Sequence, residues 1–175
     1  MSLDILLHPE LKAIYKIYLW VIIMEEQAAR RARKTAEIRE RTGIDEAMIA
    51  TLVTTFYAQV RKDPLIGPIF EERIVDWSHH LEKLCDFWSS VVLMSGKYHG
   101  QPMQAHGSLP IKGKHFDRWL EIFEATARAA CPPKAAHVFI DRARRIADSL
   151  ELGIAARRGE IVQPRWSSTE PVFRG

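Results

Sequence analysis

The chain has 175 residues, 47% of them hydrophobic and 27% charged, which is enough for one domain with some chain to spare. The formal net charge of +3 is uneven: residues 1–34 and 156–175 each carry +2 and the stretch between them −1. A near-neutral middle argues against a nucleic-acid footprint on the main domain. The two cysteines, Cys85 and Cys131, belong to no C-x-x-C pair, which argues against a zinc or redox motif and leaves two free thiols in a reducing cytoplasm.

In chain order, the first feature is the apolar run from Ala13 to Met24, "AIYKIYLWVIIM". Its twelve residues, Lys16 among them, are too few to span a bilayer, which needs about 20. Asp4 and Glu10 stand where a signal peptide would be basic. The run reads as an accessory helix that packs on the domain or on a partner. A membrane-surface helix backed by the basic stretch Arg30 to Lys34 is the alternative, and a start codon assigned too far upstream is a third. Residues 1–34 are therefore set apart as an extension (accessory helix and basic linker), 35–155 as the main domain, and 156–175 as an aperiodic tail.

Helical periodicity is strong in four places and strand alternation persists nowhere. The first helix is expected from about Asp45 to Arg61, with Ile44, Met48, Ile49, Leu52, Val53, Phe56, Tyr57 and Val60 inward. Thr42 and Asp45 are its candidate caps, and Pro64 and Pro68 bound it. The second is expected from about Asp76 to Met94. It has two adjacent stripes, Trp77-Leu81-Leu84-Trp88-Val91 and His80-Leu84-Phe87-Val91, so it has a wide apolar face for the core and for a ligand. The third runs from about His115 to Ala130 with Phe116, Trp119, Leu120, Phe123 and Ala127 inward. The fourth opens at Pro132-Pro133 and is expected to end near Leu152, with Gly153 as C-cap.

Between the second and third helices lie twenty residues, Ser95 to Lys114, with four glycines and two prolines. So long an irregular stretch in a small domain marks a functional or a disordered segment. Tyr98, Met103, Leu109 and Ile111 suit a packed loop, and this loop also carries His99 and His106. His79 and His80, adjacent on the second helix, point about 100° apart, so only one faces a given pocket. His80 shares its stripe with Leu84 and Phe87, and His79 faces out.

No G-x-S-x-G, H-E-x-x-H, P-loop or dinucleotide glycine motif is present. Two inward histidines on separate elements among aromatics suit haem, whose iron takes a neutral imidazole and whose ring faces are apolar. The competing reading is a core histidine satisfied by a backbone carbonyl. His80 and Tyr57 are then candidates for the polar groups that control the sixth position.

The stretches "FYAQVRKDPLIGPIF", "DWSHHLEKLCDFWSSVVL", "YHGQPMQAH" and "HFDRWLEIF" together resemble the group III truncated haemoglobins over about 110 residues, Ile44 to Leu152. The resemblance implies an all-α truncated globin fold, a two-over-two helical sandwich around haem b, with the proximal helix reduced to loop and a short turn. It implies His106 as the iron ligand. It places Tyr57, His80 and Trp119 in the distal pocket, with His79 replacing His80 if the register slips by one. Phe70 matches the aromatic that wedges the haem and Trp88 an aromatic near its edge. Leu84, Phe87, Met103 and Phe116 are the further expected haem contacts. For Phe70, Phe87, Trp88, Trp119 and Tyr57, plain core packing stands beside these roles.

Such a pocket implies a diatomic ligand, dioxygen or nitric oxide. Polar donors favour a bound ligand that carries negative charge over neutral carbon monoxide. Two classes follow: redox chemistry (a nitric oxide dioxygenase or a peroxidase-like activity fed by a partner reductase), or an O2 carrier, store or sensor without turnover. A helical interaction domain that uses Ala13 to Met24 as its contact is the non-haem alternative.

Overall fold

In the computed structural model, residues 9–163 are described. Among them the chain forms seven helices: α1 (Pro9–Thr42), α2 (Glu46–Val60), α3 (Gly67–Arg73), α4 (Trp77–Leu93), α5 (Pro102–His106), α6 (Gly113–Ala130) and α7 (Pro133–Arg157).

The helix starts follow local chemistry. Asp45 caps α2 by accepting the Met48 N–H at 2.8 Å, and Asp76 caps α4 by accepting the His79 N–H at 3.0 Å. Each supplies a partner to an amide that the helix itself leaves unpaired. Pro133 opens α7, where a missing N–H costs nothing. Gly43, at φ +75°, ends α1 in the left-handed conformation, with its N–H on the Arg39 carbonyl.

Two departures from the sequence reading concern helix ends. The expected basic linker Arg30 to Lys34 is helical, and α1 passes through it without a break. Nothing between Glu10 and Thr42 is Gly or Pro, so no residue there favours a stop. Gly153 does not cap α7, which continues to Arg157. A Cβ at position 153 would stand 2.6 Å from Sδ of Met103, so this glycine serves a close approach between elements instead of a turn.

The helices stack as two layers of two. α2 packs on α4 and on α6, and α6 packs along α7. The interior is aromatic. Phe123 lies between the indoles of Trp88 (4.9 Å, 18°) and Trp119 (5.2 Å, 13°), and Phe56 meets it edge-on at 5.1 Å. Phe139 of α7 closes on Trp88 at 5.9 Å. Four helices thus contribute to one aromatic cluster, and Phe56, Phe123 and Phe139 are fully buried. Both thiols, Cys85 and Cys131, are free and have pKa values pushed up by burial, with nearby carboxylates adding to the effect at Cys85. That suits packing more than reactivity.

The turn after α2 is held by Asp63. Its buried carboxylate accepts the N–H groups of Leu65 and Ile66, both at 3.0 Å, and the Arg118 guanidinium of α6 at 2.7 Å. Burial alone would raise its pKa, but Arg118 and the two amides hold it below the usual value. This tie fixes the corner that carries α3, and so Phe70. Replacing Phe123 with Ala is expected to lower unfolding stability by about 3–5 kcal/mol, read from the shift in urea midpoint at constant m-value.

Candidate functional site

The layers leave a cavity of about 440 Å3 between α2, α3, α4, α5, α6 and α7. That size suits a small-molecule or cofactor site. Its walls include Tyr57, Phe70, His80, Leu84, Phe87, Trp88, His106, Phe116 and Trp119. The sequence-predicted site residues therefore converge on one cavity, with one exception. Met103 is not among the lining residues. Its thioether lies over Gly153, turned towards α7.

His106 ends α5, a helix of five residues. Its Nδ1 lies 2.7 Å from the carbonyl of Pro102, one turn back. A carbonyl only accepts, so Nδ1 carries the proton and donates. Nε2 then keeps its lone pair. This is the tautomer that a metal-ligating histidine needs, with the second nitrogen fixing ring orientation. The expected competitor, a core histidine satisfied by a carbonyl, would use the same bond. What separates the two is that His106 is half-buried on a cavity wall. His99, in the same loop, is exposed and off the cavity.

The loop that presents α5 is packed at both ends. Upstream, Ser89 joins Glu46 and Ser95 (2.9 and 2.7 Å), Lys97 reaches Glu46 at 2.9 Å, and the Tyr98 N–H donates to Ser90 at 2.8 Å. Downstream, the Arg158 guanidinium donates to the carbonyls of Leu109 (2.6 Å) and Ile111 (3.0 Å). With Met103 seated on Gly153, the last turns of α7 clamp the loop.

The polar groups come from other helices. Tyr57 of α2 is buried and its phenol is pushed well above the usual tyrosine range. Burial is the main cause, and Trp119 pulls partly back. His80 sits edge-on to Tyr57 (6.0 Å) and to Trp77 (5.9 Å). Its pKa is lowered, first by burial and then by Lys83, His106 and His79, so it is neutral near pH 7. His79 is exposed, with Glu82 at 3.9 Å, as the register placed it.

Several lining residues were not predicted as site residues. Tyr98, Leu109 and Ile111 were expected in a packed loop without assignment to the site, and Ile146 and Leu150 of α7 also line the cavity. Arg73 and Lys83 gave no signal, because a charge on a solvent-facing helix position is unremarkable in sequence. They are the only permanently charged lining residues among those described.

The comparisons with known proteins agree with this geometry. A family model of bacterial-like globins matches residues 37–150. The chain belongs to the bacterial-like globins. Over 113 residues it is 34% identical to the group 3 truncated hemoglobin ctb of Campylobacter jejuni, covering 62% of this chain and 89% of that protein. The crystal structure of the group III truncated hemoglobin from Campylobacter jejuni superposes with a TM-score of 0.59 at 34% identity, over 62% of this chain and 89% of that one. The expected truncated globin fold is thereby shown, and the chain is a haem-binding globin.

The globin's residues fit the group. The cavity is largely apolar, Nε2 of His106 keeps its lone pair, and Arg73 and Lys83 add two cations to the lining. Removing the Lys83 charge in Lys83→Met is expected to raise the His80 pKa, as followed by NMR of the imidazole protons. His80 holds its proton less tightly folded than unfolded. Its contribution to stability is therefore present above the unfolded value of about 6.5 and is lost as pH falls through the folded one.

Proposed function

We propose that this globin would hold haem b through His106 as the iron ligand, and that Tyr57, Trp119 and His80 present hydrogen-bond donors to a diatomic or peroxide ligand for redox chemistry. The observation that carries the reading is the fixed His106 tautomer on the wall of a cavity that also holds these three groups. Haem, when bound, supplies an iron with an open coordination position and a one-electron couple.

The chain's own residues do the rest. Nδ1–H of His106, tied to Pro102, holds the ring in one orientation and makes Nε2 a better donor. Phe70, Leu84, Phe87 and Phe116 exclude water from the ring faces. Arg73 and Lys83 attract the carboxylates of the cofactor. Tyr57 and Trp119 each bring one donor, a phenol O–H and an indole N–H, to the same cavity. Neutral His80 adds one more N–H. Donors in a dry cavity favour a ligand that carries negative charge, which slows its release and suits chemistry on dioxygen, nitric oxide or peroxide better than delivery. Turnover needs electrons, which a partner reductase supplies.

Absorption spectra of the wild type and His106→Ala, ferric and dithionite-reduced, test the cofactor half. A Soret band that weakens or shifts in the variant is expected, and an unchanged spectrum would move the ligand elsewhere. For the distal half, Tyr57→Phe is expected to speed O2 dissociation about tenfold or more, the worth of one hydrogen bond to a charged acceptor. Fast reversible release already in the wild type would favour a carrier, store or sensor.

A further inference from the structure

The cavity leaves one large feature unexplained, the N-terminal part of α1. Between residues 11 and 34 every residue except Lys12 and Ile22 is exposed. Ile14, Ile17, Tyr18 and Trp20 are each more than 60% exposed. The expectation that this run packs on the domain is not met. Among the described residues, α1 meets the globin towards its C-terminal end, where Thr35 donates to the Leu93 carbonyl at 2.9 Å and Ile38 and Thr42 are buried.

The apolar side chains surround the helix instead of forming one stripe. At 100° per residue, Ile17, Trp20 and Met24 lie on the side that later faces the domain, Tyr15 and Leu19 lie roughly opposite, and Ile14, Tyr18 and Ile22 fill the sector between. Lys12 and Lys16 share one narrow strip. A helix apolar all round is stable only when surrounded by apolar material.

A second copy of the chain would cover one seam. A seam needs apolar residues repeating every 3.5 positions over several heptads. Here every row ends together after Met24, in Glu25, Glu26 and Gln27. An edge that crosses all faces at one level matches a boundary between two media. Beyond it come Arg30, Arg31, Arg33 and Lys34, about 9–15 Å further along the axis. The net charge over residues 11–34 is +4. Among the described residues no helix is long and apolar enough to cross a membrane, so the segment enters one leaflet only.

We propose that residues 11–24 embed in one leaflet of an anionic lipid membrane. Lys12 and Lys16 snorkel to its surface, Tyr15, Tyr18 and Trp20 take the interfacial level, and Arg30 to Lys34 meet headgroup phosphates. The inference does not rest on what the cavity binds.

Co-sedimentation of the full chain with vesicles tests it. Vesicles containing phosphatidylglycerol are expected to carry the protein down, and pure phosphatidylcholine vesicles at least tenfold less, with the difference shrinking as salt rises. Ile17→Asp combined with Trp20→Asp is expected to abolish sedimentation, and Arg30→Glu with Arg31→Glu to weaken it. Circular dichroism of each variant confirms that the globin still folds. No sedimentation of the wild type, or equal and salt-insensitive binding to both lipids, would overturn the proposal. So would a stable oligomer in vesicle-free buffer that the Ile17/Trp20 variant dissociates, since a second copy would then be the occupant.

Discussion

Phe123 is held between two indoles, and both of those indoles also face the cavity. Trp88 comes from α4 and Trp119 from α6, so one stack of three rings fixes the spacing of two helices and forms part of the cavity wall. Fold and site therefore share atoms. Stacked rings resist sliding and cannot be compressed. The width left beside them is set by the core itself, and the phenol of Tyr57, edge-on to Phe56 at 4.8 Å, inherits that placement.

Electrostatics separates the two ends of this arrangement. Inside, burial favours the neutral form of Tyr57, and burial with neighbouring positive charge favours that of His80. Charge is kept to the rim and to corners where it has partners, as at Asp63 with Arg118.

Much of this was legible in the residues. The starts of α2 and α4 were readable because Asp45 and Asp76 precede strong periodic stripes, and caps act over three residues. Tyr57, His80, His106 and Trp119 were readable as inward polar residues among aromatics, and the resemblance named their roles. Gly153 misled because glycine serves both helix ends and close packing, and only the thioether of Met103, fifty residues earlier, shows which. Met103 was misplaced for the matching reason. In a turn of five residues, no periodicity tells which way a flexible side chain points. Arg73 and Lys83 were invisible, since what makes them part of the site is the shape of the cavity rim. The apolar run of α1 was plain, but whether the domain covered it depended on the direction in which a continuous helix leaves the globin.

The clamp at the end of α7 has a consequence for His106, the proposed iron ligand. Met103 on Gly153 and Arg158 on the carbonyls of Leu109 and Ile111 brace the short turn that presents His106. An isolated helix of five residues has no stability of its own, so the mechanical stiffness of the imidazole is borrowed from that brace. Its anchors on α7, positions 153 and 158, lie beyond residue 150, where the match to the family ends. If His106 is the ligand proposed above, the stiffness with which it is held is set by a stretch of chain outside the part that matches the family.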